Sequence, residues 1–354
     1  MNYPIRFKAA ILEDNNKPLK IDEVTFEGPL QAGQILTKIT HTGICGKQIE
    51  EIDGKSNFQG KIDPFLPHLL GHEGAGIVVD IGPSVTKVSP GDYVVLHWLK
   101  GSGINSAPPI YTRNKKRVNA GWITTFNEYG VISENRVTKI SKDTNLEIAC
   151  LLGCCVTTGV GVILNEAKPL PGDSIAIFGC GGVGLNAIQG AALINSYPII
   201  AVDKNPKSLE LSKKFKADYT IDTSRINPIE KIREITQGKG AKYVICSLAN
   251  PSGIESAIQS CSTPGNVYFV GVPPINSQIT LNPFEIHSGK KLQGSQGGAC
   301  ILERDIPKYL DFYRRGLLKL DELITDSFSL DRINDGINLM KSGIPGRLVV
   351  DMNY

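Results

Sequence analysis

Three residues of the types that zinc prefers lie in separate motifs of the sequence. His72 stands in the run GHEGAGIVV, Cys45 in HTGICGK and Cys154 in LLGCCVTTG, at separations of 27 and 82 residues. Zinc binds histidine nitrogen and cysteine sulfur, and a catalytic site uses three protein ligands and leaves one position open. The residue types therefore suit a catalytic zinc site. Their spacing does not show that they converge, and a single buried histidine is also common as a core residue.

A glycine run predicts a second site, for a dinucleotide. Residues 179–184 read GCGGVG, after an apolar strand pattern and at the start of a helix pattern. Glycines in this context let the backbone approach a pyrophosphate, and the N–H groups at the helix start favour its charge. Asp203 ends the next predicted strand, where a carboxylate binds the ribose hydroxyls of NAD and repels the 2′-phosphate of NADP. Lys204 beside it could tolerate that phosphate, so we expect NAD(H) and keep NADP(H) as the less favoured alternative. The cofactor-binding candidates of this segment are Gly179, Gly181, Gly182, Gly184, Asp203 and Lys204.

The sequence around these motifs shows two secondary-structure patterns. The first half is β-rich, with short apolar runs such as ILTKITHTGIC and GDYVVLHWL between Gly and Pro turns. From about residue 170, strand and helix patterns alternate, and Asn205 with Pro206 predicts the N-cap and first residue of one helix. The alternation predicts an α/β fold with a doubly wound parallel sheet. The strand-like tail RLVVDM predicts that the β-rich unit resumes after it.

Composition and charge narrow the class of protein. The chain has 354 residues, which fits two domains, and its net charge of +3 gives no reason to expect nucleic acid or an anionic membrane as a partner. It contains no apolar run of about 18 residues. The first residues, MNYPIRFKAAILEDNNKPLK, lack a secretory pattern, so we expect a cytoplasmic location. The eight cysteines are scattered, which predicts mostly free thiols. Five of them fit small core residues: Cys150, Cys180, Cys246, Cys261 and Cys300.

These motifs together resemble the zinc-containing alcohol dehydrogenases of the medium-chain dehydrogenase/reductase family, nearest to the liver-type branch. The stretch from Gly71 to Val85 matches the family's zinc signature, with Gly76 and Gly82 at its spacings. HTGICG, GDYVV, LLGCCVTTG, IFGCGGVGLNAIQGA, AVDKNP, VGVPP and LMKSGIPGR follow the order of the corresponding family stretches. The resemblance covers nearly the whole chain.

The resemblance implies a fold and an activity. The fold is a GroES-like β-rich catalytic domain at residues 1–155 and 296–354, with a Rossmann NAD-binding domain at 156–295. The activity is hydride transfer between NAD(H) and a small alcohol or carbonyl substrate, with one catalytic zinc ion per chain. The family also implies a homodimer or homotetramer, with the NVYFV strand near a sheet edge and pairing across a two-fold axis.

The resemblance also assigns roles to matching positions. Cys45, His72 and Cys154 are the implied zinc ligands, and Glu73 is the implied carboxylate near the metal. The implied cofactor contacts are Thr158, Val183 and Val270 at the nicotinamide ring and Arg347 at the phosphates. Trp98 and Phe126 fall where substrate-pocket side chains lie, although ordinary aromatic core residues would fit both positions equally well.

Two segments depart from the family pattern. The lobe after GDYVV lacks the four cysteines of a structural zinc site, so we expect no second zinc. Its basic run Arg113–Arg117 is either a solvated face or a recognition site for an anionic substrate group. Lys47 replaces the Ser or Thr that begins the family's proton relay, Gln48 replaces an aspartate, and Glu50 replaces the relay histidine. Lys47 is then either the acid/base of the reaction, or turns outward while water or Glu50 moves the proton.

Two other functions stay open from the sequence. One is a zinc-free NAD(P)H quinone or enone reductase of the same superfamily, a branch that generally lacks the GHE signature and the cysteine ligands. The other is a catalytically inactive dinucleotide-binding protein that kept the fold. Stoichiometric zinc and NAD(H)-dependent turnover of an alcohol or aldehyde would separate these from the expected enzyme.

Overall fold

The computed structural model describes residues 2–55 and 65–353 of the chain. Within this part, three β-sheets and the helices that cover them form the α/β architecture that the alternating patterns predict. Two sheets are built mainly from antiparallel strands of the first part of the chain, and the third is parallel.

The first unit is β-rich because its apolar runs are short and separated by Gly and Pro turns. Its strands are Ile5–Leu12 (β1), Lys20–Phe26 (β2), Gln34–Ile44 (β3), His68–Leu69 (β4), Glu73–Ile81 (β5), Tyr93–His97 (β6), Tyr111–Arg113 (β7), Lys116–Val118 (β8), Tyr129–Ser133 (β9) and Val137–Ile140 (β10). Strand β3 pairs with β5 and with β9, and helix α1, Gly46–Ile52, follows it directly. The end of β3 therefore lies beside the start of β5.

Two short helices lead from this unit to the parallel sheet. They are Leu146–Cys150 (α2) and Cys155–Gly161 (α3), and α3 continues as a π-helical turn over Val162–Ala167. Every residue of α3 is buried. A π-helical turn is rare and often marks a functional site.

The middle of the chain forms the doubly wound parallel sheet, as predicted. Its strands are Ile175–Phe178 (β11), Ile199–Asp203 (β12), Tyr219–Asp222 (β13), Ala241–Cys246 (β14), Cys261–Phe269 (β15) and Lys290–Gly294 (β16), in the order β13-β12-β11-β14-β15-β16. Its helices are Gly182–Leu193 (α4), Pro206–Lys214 (α5), Pro228–Ile235 (α6), Pro251–Ser260 (α7) and Pro283–His287 (α8).

The structure tests two predictions about this sheet, the helix cap at Asn205 and the position of the NVYFV strand. The predicted cap is confirmed, since the side chain of Asn205 accepts a hydrogen bond from the N–H of Lys207 at 3.0 Å and Pro206 opens α5. The NVYFV strand lies near a sheet edge, as predicted, since it belongs to β15 and is followed in the described sheet by the edge strand β16. Both sides of β15 are paired within the chain, so this strand has no free side for the predicted pairing across a two-fold axis.

The C-terminal part returns to the first unit. It contains Leu302–Arg314 (α9), Ile324–Ser329 (β17), Ile333–Lys341 (α10) and Arg347–Asp351 (β18), and β18 pairs with β3. The domain limits drawn at 155/156 and 295/296 stay a prediction. All six strands of the parallel sheet lie between them.

In the described ranges, no single helix is long and apolar enough to cross a bilayer. One bent pair, Leu146–Gly153 and Cys155–Ala167, passes the same test of length and composition. Its apolar residues belong to the largest buried core of the chain.

Candidate active site

The three candidate zinc ligands come from three different elements and meet at one point. Cys45 caps the start of α1 after β3, His72 immediately precedes β5, and Cys154 immediately precedes α3. Their ligand atoms all lie within 4.8 Å of one another, and the two sulfurs are 3.9 Å apart. The side-chain Nε2 of His72 is buried and has no hydrogen-bond partner in the described part of the chain.

This arrangement fits a tetrahedral zinc ion. Two sulfurs that are each about 2.3 Å from such an ion lie about 3.8 Å apart, which agrees with the separation of Cys45 and Cys154. The hydrogen bond between the two thiols is the largest cause that holds the pKa of Cys45 well below its usual range. A low thiol pKa favours the thiolate, which is the form that binds metals.

Glu73 and Arg347 form a buried ion pair beside the metal ligands. Arg347 Nη2 donates to Glu73 Oε2 at 3.2 Å, Nε lies 3.2 Å from Oε1, and both side chains are at most 3% exposed. Burial raises the pKa of the Glu73 carboxyl to about 7, and the charge of Arg347 opposes that rise. Arg347 also approaches the glycine run, since a Cβ on Gly182 would lie 3.1 Å from its Cζ. Arg347 thus connects the predicted metal site with the predicted phosphate site.

The glycine run has the geometry of a dinucleotide loop. Gly179 follows β11 with a positive φ of 89°, and Gly182 begins α4. A Cβ on Gly184 would lie 1.8 Å from the oxygen of Gly179, whereas a Cβ on Gly181 would meet no described atom within 4 Å. Gly184 therefore permits the helix to pack on the strand, and Gly181 leaves open space in front of the helix start.

Asp203 is held at the end of β12 beside this loop. Its Oδ2 accepts the N–H of Cys180 at 2.6 Å, and its Oδ1 accepts the N–H of Asn205 at 2.8 Å. These two hydrogen bonds fix the carboxylate next to the glycine run. Lys204 is exposed.

A cavity of about 610 Å³ joins the metal ligands to the glycine run at the carboxyl ends of the parallel strands. The predicted site residues that line it are Cys45, Lys47, His72, Trp98, Cys154, Thr158, Gly181, Gly182, Val183, Val270 and Arg347. Ligands of open α/β sheets bind at these strand ends. A larger, more open depression of about 1040 Å³ lies at the opposite ends of the strands and is lined by none of the predicted site residues. We therefore assign the chemistry to the smaller cavity.

Phe126 does not belong to this cavity, which corrects its assignment to the substrate pocket. Its side chain is fully buried in a core that includes Leu70, Ile333 and Leu348. The core interpretation, which the sequence left equally open, is the right one for this residue. Trp98 is half-buried and does line the cavity.

The basic run Arg113–Arg117 also lies elsewhere. It forms the β7–β8 hairpin, where Arg113 pairs with Glu13 and Arg117 hydrogen-bonds Asn119 at 2.6 Å. None of its residues lines the cavity. The hypothesis that this run recognises an anionic substrate group therefore finds no support.

Lys47 lies in the cavity wall and is held there by Glu50. Its Nζ donates to Glu50 Oε2 at 3.0 Å, and both residues line the cavity. This placement favours the inward one of the two alternatives for Lys47, and its role in proton transfer stays a prediction. Glu51, which the sequence analysis missed, lines the same wall. Burial raises the pKa of its carboxyl, against the positive charges of His72 and His68.

A loop at residues 295–300 forms another part of the cavity wall, and sequence reasoning did not find it. Ser295, Gln296 and Gly297 line the cavity. The π-helical turn anchors this loop: the carboxylate of Glu166 accepts the Ser295 hydroxyl, and Asn165 Nδ2 donates to Gly298 O at 3.1 Å. The consecutive glycines in SQGGAC were the signal in the sequence that could have found it.

Comparison with known proteins agrees with the fold and with a zinc-binding dehydrogenase. Residues 31–142 match the model of the alcohol dehydrogenase GroES-like domain, and residues 182–315 match that of zinc-binding dehydrogenases. The chain is 32% identical to the class-3 alcohol dehydrogenase of Cereibacter sphaeroides, across 98% of this chain and 100% of that protein. It is 32% identical, with the same coverage, to an S-(hydroxymethyl)glutathione dehydrogenase of Escherichia coli.

A solved structure shares the fold across the whole length. Benzyl alcohol dehydrogenase from Acinetobacter calcoaceticus superimposes with a TM-score of 0.88 at 26% identity, over 98% of this chain and 99% of that one. Sequence, fold and metal-ligand geometry agree, and the chain belongs to the zinc-dependent alcohol dehydrogenases of the medium-chain dehydrogenase/reductase family.

Proposed function

We propose that this protein oxidises a small alcohol, or reduces the corresponding carbonyl compound, with NAD(H) as the hydride carrier and one zinc ion per chain. The observation that carries the proposal is the meeting of Cys45, His72 and Cys154 at the end of a cavity that also reaches the glycine run. A zinc ion bound by these residues would act as a Lewis acid toward the substrate oxygen.

The cofactor half of the proposal rests on the glycine run and Asp203. The backbone at Gly181 and Gly182 would hold the pyrophosphate, and Arg347 would add a positive charge beside it. The carboxylate of Asp203, fixed by two backbone N–H groups, would accept the ribose hydroxyls of NAD and repel a 2′-phosphate. Thr158, Val183 and Val270 would contact the nicotinamide ring, because they line the cavity between the metal ligands and the glycine run.

The proton path is proposed on Lys47 and Glu50. Lys47 lines the cavity, and its Nζ donates to Glu50 Oε2. It could accept a proton from the alcohol side while it releases its own to the carboxylate, which is the role of a positioned acid/base.

The two rival functions are not favoured. A zinc-free reductase would not need the converging sulfur and nitrogen ligands, and an inactive binding protein would not need a cavity that joins them to the cofactor loop.

We also propose a homodimer or homotetramer. A cytoplasmic location is proposed because all eight cysteines are free thiols, as expected in a reducing compartment.

The direct test is a Cys45→Ser variant assayed with NAD+ and a panel of alcohols. We expect turnover to disappear while NADH binding stays near the wild-type value, since Cys45 does not belong to the glycine run. A variant that retains wild-type turnover would refute the role of this residue as a metal ligand.

A further inference from the structure

The face of α1 that meets the cavity carries three charged side chains. Lys47, Glu50 and Glu51 all line the cavity, and residues at this spacing share one face of a helix. Gln48 and Ile52 are buried on the other side. Because the helix begins at the metal-ligand candidate Cys45, this face borders the place where a substrate oxygen would react.

The charged side chains of the described cavity wall, except Glu51, each have an ion-pair partner. Lys47 pairs with Glu50 at 3.0 Å, and Arg347 pairs with Glu73. Two thiolates and a neutral imidazole would leave a bound zinc ion without net charge. Glu51 makes no side-chain hydrogen bond or ion pair in the part of the chain that the structure describes, and it is not one of the three grouped ligands. Among the described residues of the cavity wall, Glu51 is therefore the carboxylate without a hydrogen-bonded or ion-paired partner, although the charges of His72, His68 and Lys47 act on it from farther away.

Near Glu51, the lining includes an aromatic side chain that suits a cation. The indole of Trp98 lines the same cavity, and indole rings attract ammonium groups at distances of about 6 Å. Lys47 and Arg347 are the lysine and arginine of the described cavity wall, and both already have carboxylate partners. A carboxylate in a partly shielded cavity is stabilised when a ligand brings the opposite charge.

We infer that the substrate carries an ammonium group besides its hydroxyl or carbonyl group, and that Glu51 binds this ammonium group. The inference rests on the proposed function and narrows its substrate to amino alcohols or amino carbonyl compounds. In the oxidative direction, the alcohol carbon loses a hydride to NAD+, which becomes NADH, and the hydroxyl loses a proton. The ammonium group is unchanged and serves only for recognition.

Three alcohols of similar size and different charge test this inference. They are 3-amino-1-propanol (cationic), 1-butanol (neutral) and 3-hydroxypropanoate (anionic), assayed with NAD+ at pH 7.5. We expect kcat/KM to be about tenfold or more higher for the cation than for the neutral alcohol, as a hydrogen bond to a charged group predicts. The anion should be the poorest substrate.

Variants show whether Glu51 causes the preference. Glu51→Gln keeps the size of the side chain and removes its charge, so the ratio of cationic to neutral kcat/KM should fall to within about threefold of unity. Glu234→Gln is the matched control, because Glu234 is an exposed acid on α6 outside the cavity. This control should keep the wild-type ratio.

A binding measurement separates this inference from the proposed function. In the complex with NADH the alcohols cannot be oxidised, so their dissociation constants report recognition alone. Glu51→Gln should weaken 3-amino-1-propanol binding by about tenfold relative to 1-butanol.

An unchanged ratio in Glu51→Gln, or a wild-type preference for 3-hydroxypropanoate, would overturn the inference and leave the proposed function intact. If no alcohol is oxidised, the proposed function fails, and the binding ratio still decides whether Glu51 selects cations.

Discussion

Replacing Gly184 or Gly181 of the cofactor loop with alanine should have different effects. The first change should mainly lower the stability of the fold, and the second should mainly weaken NADH binding. In Gly184→Ala, the new Cβ would lie 1.8 Å from the oxygen of Gly179. A carbon and an oxygen in ordinary contact are roughly 3.5 Å apart, so the start of α4 would have to move by roughly 1.7 Å. The atom that it meets belongs to the backbone after β11, and that oxygen already accepts the Ser247 hydroxyl at 2.9 Å.

Because neither the strand nor the helix can yield easily, Gly184→Ala should lower the free energy of unfolding by about 3 kcal/mol or more, the upper part of the range for overpacking. In Gly181→Ala, the new Cβ would meet no described atom within 4 Å, and the φ of −80° suits alanine. Its free energy of unfolding should stay within about 1 kcal/mol of the wild type.

The order should reverse for cofactor binding by the folded protein. The open space at Gly181 is where the pyrophosphate backbone would approach, so Gly181→Ala should weaken NADH binding by about tenfold or more. Urea denaturation and NADH fluorescence titration measure the two quantities. Wild-type stability in Gly184→Ala, or wild-type NADH affinity in Gly181→Ala, would refute the assignment of the loop.

Three further predictions concern acid stability, cofactor choice and proton transfer. Burial lowers the pKa of fully buried His97 to about 4, so between pH 6.5 and 4 the unfolded chain binds a proton that the folded chain does not. The free energy of unfolding should therefore fall by about 3 kcal/mol across this window as the pH is lowered. Urea denaturation of the wild type and His97→Asn at pH 7.5 and 4.5 tests this, and an equal loss in both would contradict it. Asp203→Ala should reduce the preference for NADH over NADPH by about tenfold, as measured by two dissociation constants, whereas an unchanged preference would place the ribose elsewhere. Lys47→Met should lower kcat by about a hundredfold at neutral pH and alter its pH profile, if this side chain moves the proton. A parallel profile with unchanged kcat would assign that role to water.

The parts of the fold that depend on local patterns could be predicted from the sequence. The strand–helix alternation, the cap at Asn205 and the glycine run each follow from neighbouring residues, and the structure confirms these elements. The convergence of the metal ligands depended on resemblance, because residues that are 27 and 82 positions apart meet only through the pairing of β3 with β5 and the packing of α3.

The sequence left open the placement of side chains whose environment is set by distant segments. Phe126 is buried because α10 and β18, near the end of the chain, pack against it. The basic run Arg113–Arg117 is in a hairpin whose position depends on pairing of β7 with β2. Glu51 was missed, although the spacing of Lys47, Glu50 and Glu51 indicated one helix face, because only the tertiary structure shows that the cavity lies on that side.

The zinc content of the purified protein tests the central claim most directly. Protein purified without added metal or chelator should contain about one zinc ion per chain. Cys154→Ser should lose this zinc and still bind NADH, whereas the control Cys155→Ser should keep it, since Cys155 is not one of the three converging ligands and its thiol donates to Leu151 O at 3.5 Å. Wild-type protein that binds NADH and contains no zinc, or a Cys154→Ser variant with full zinc content, would contradict the account.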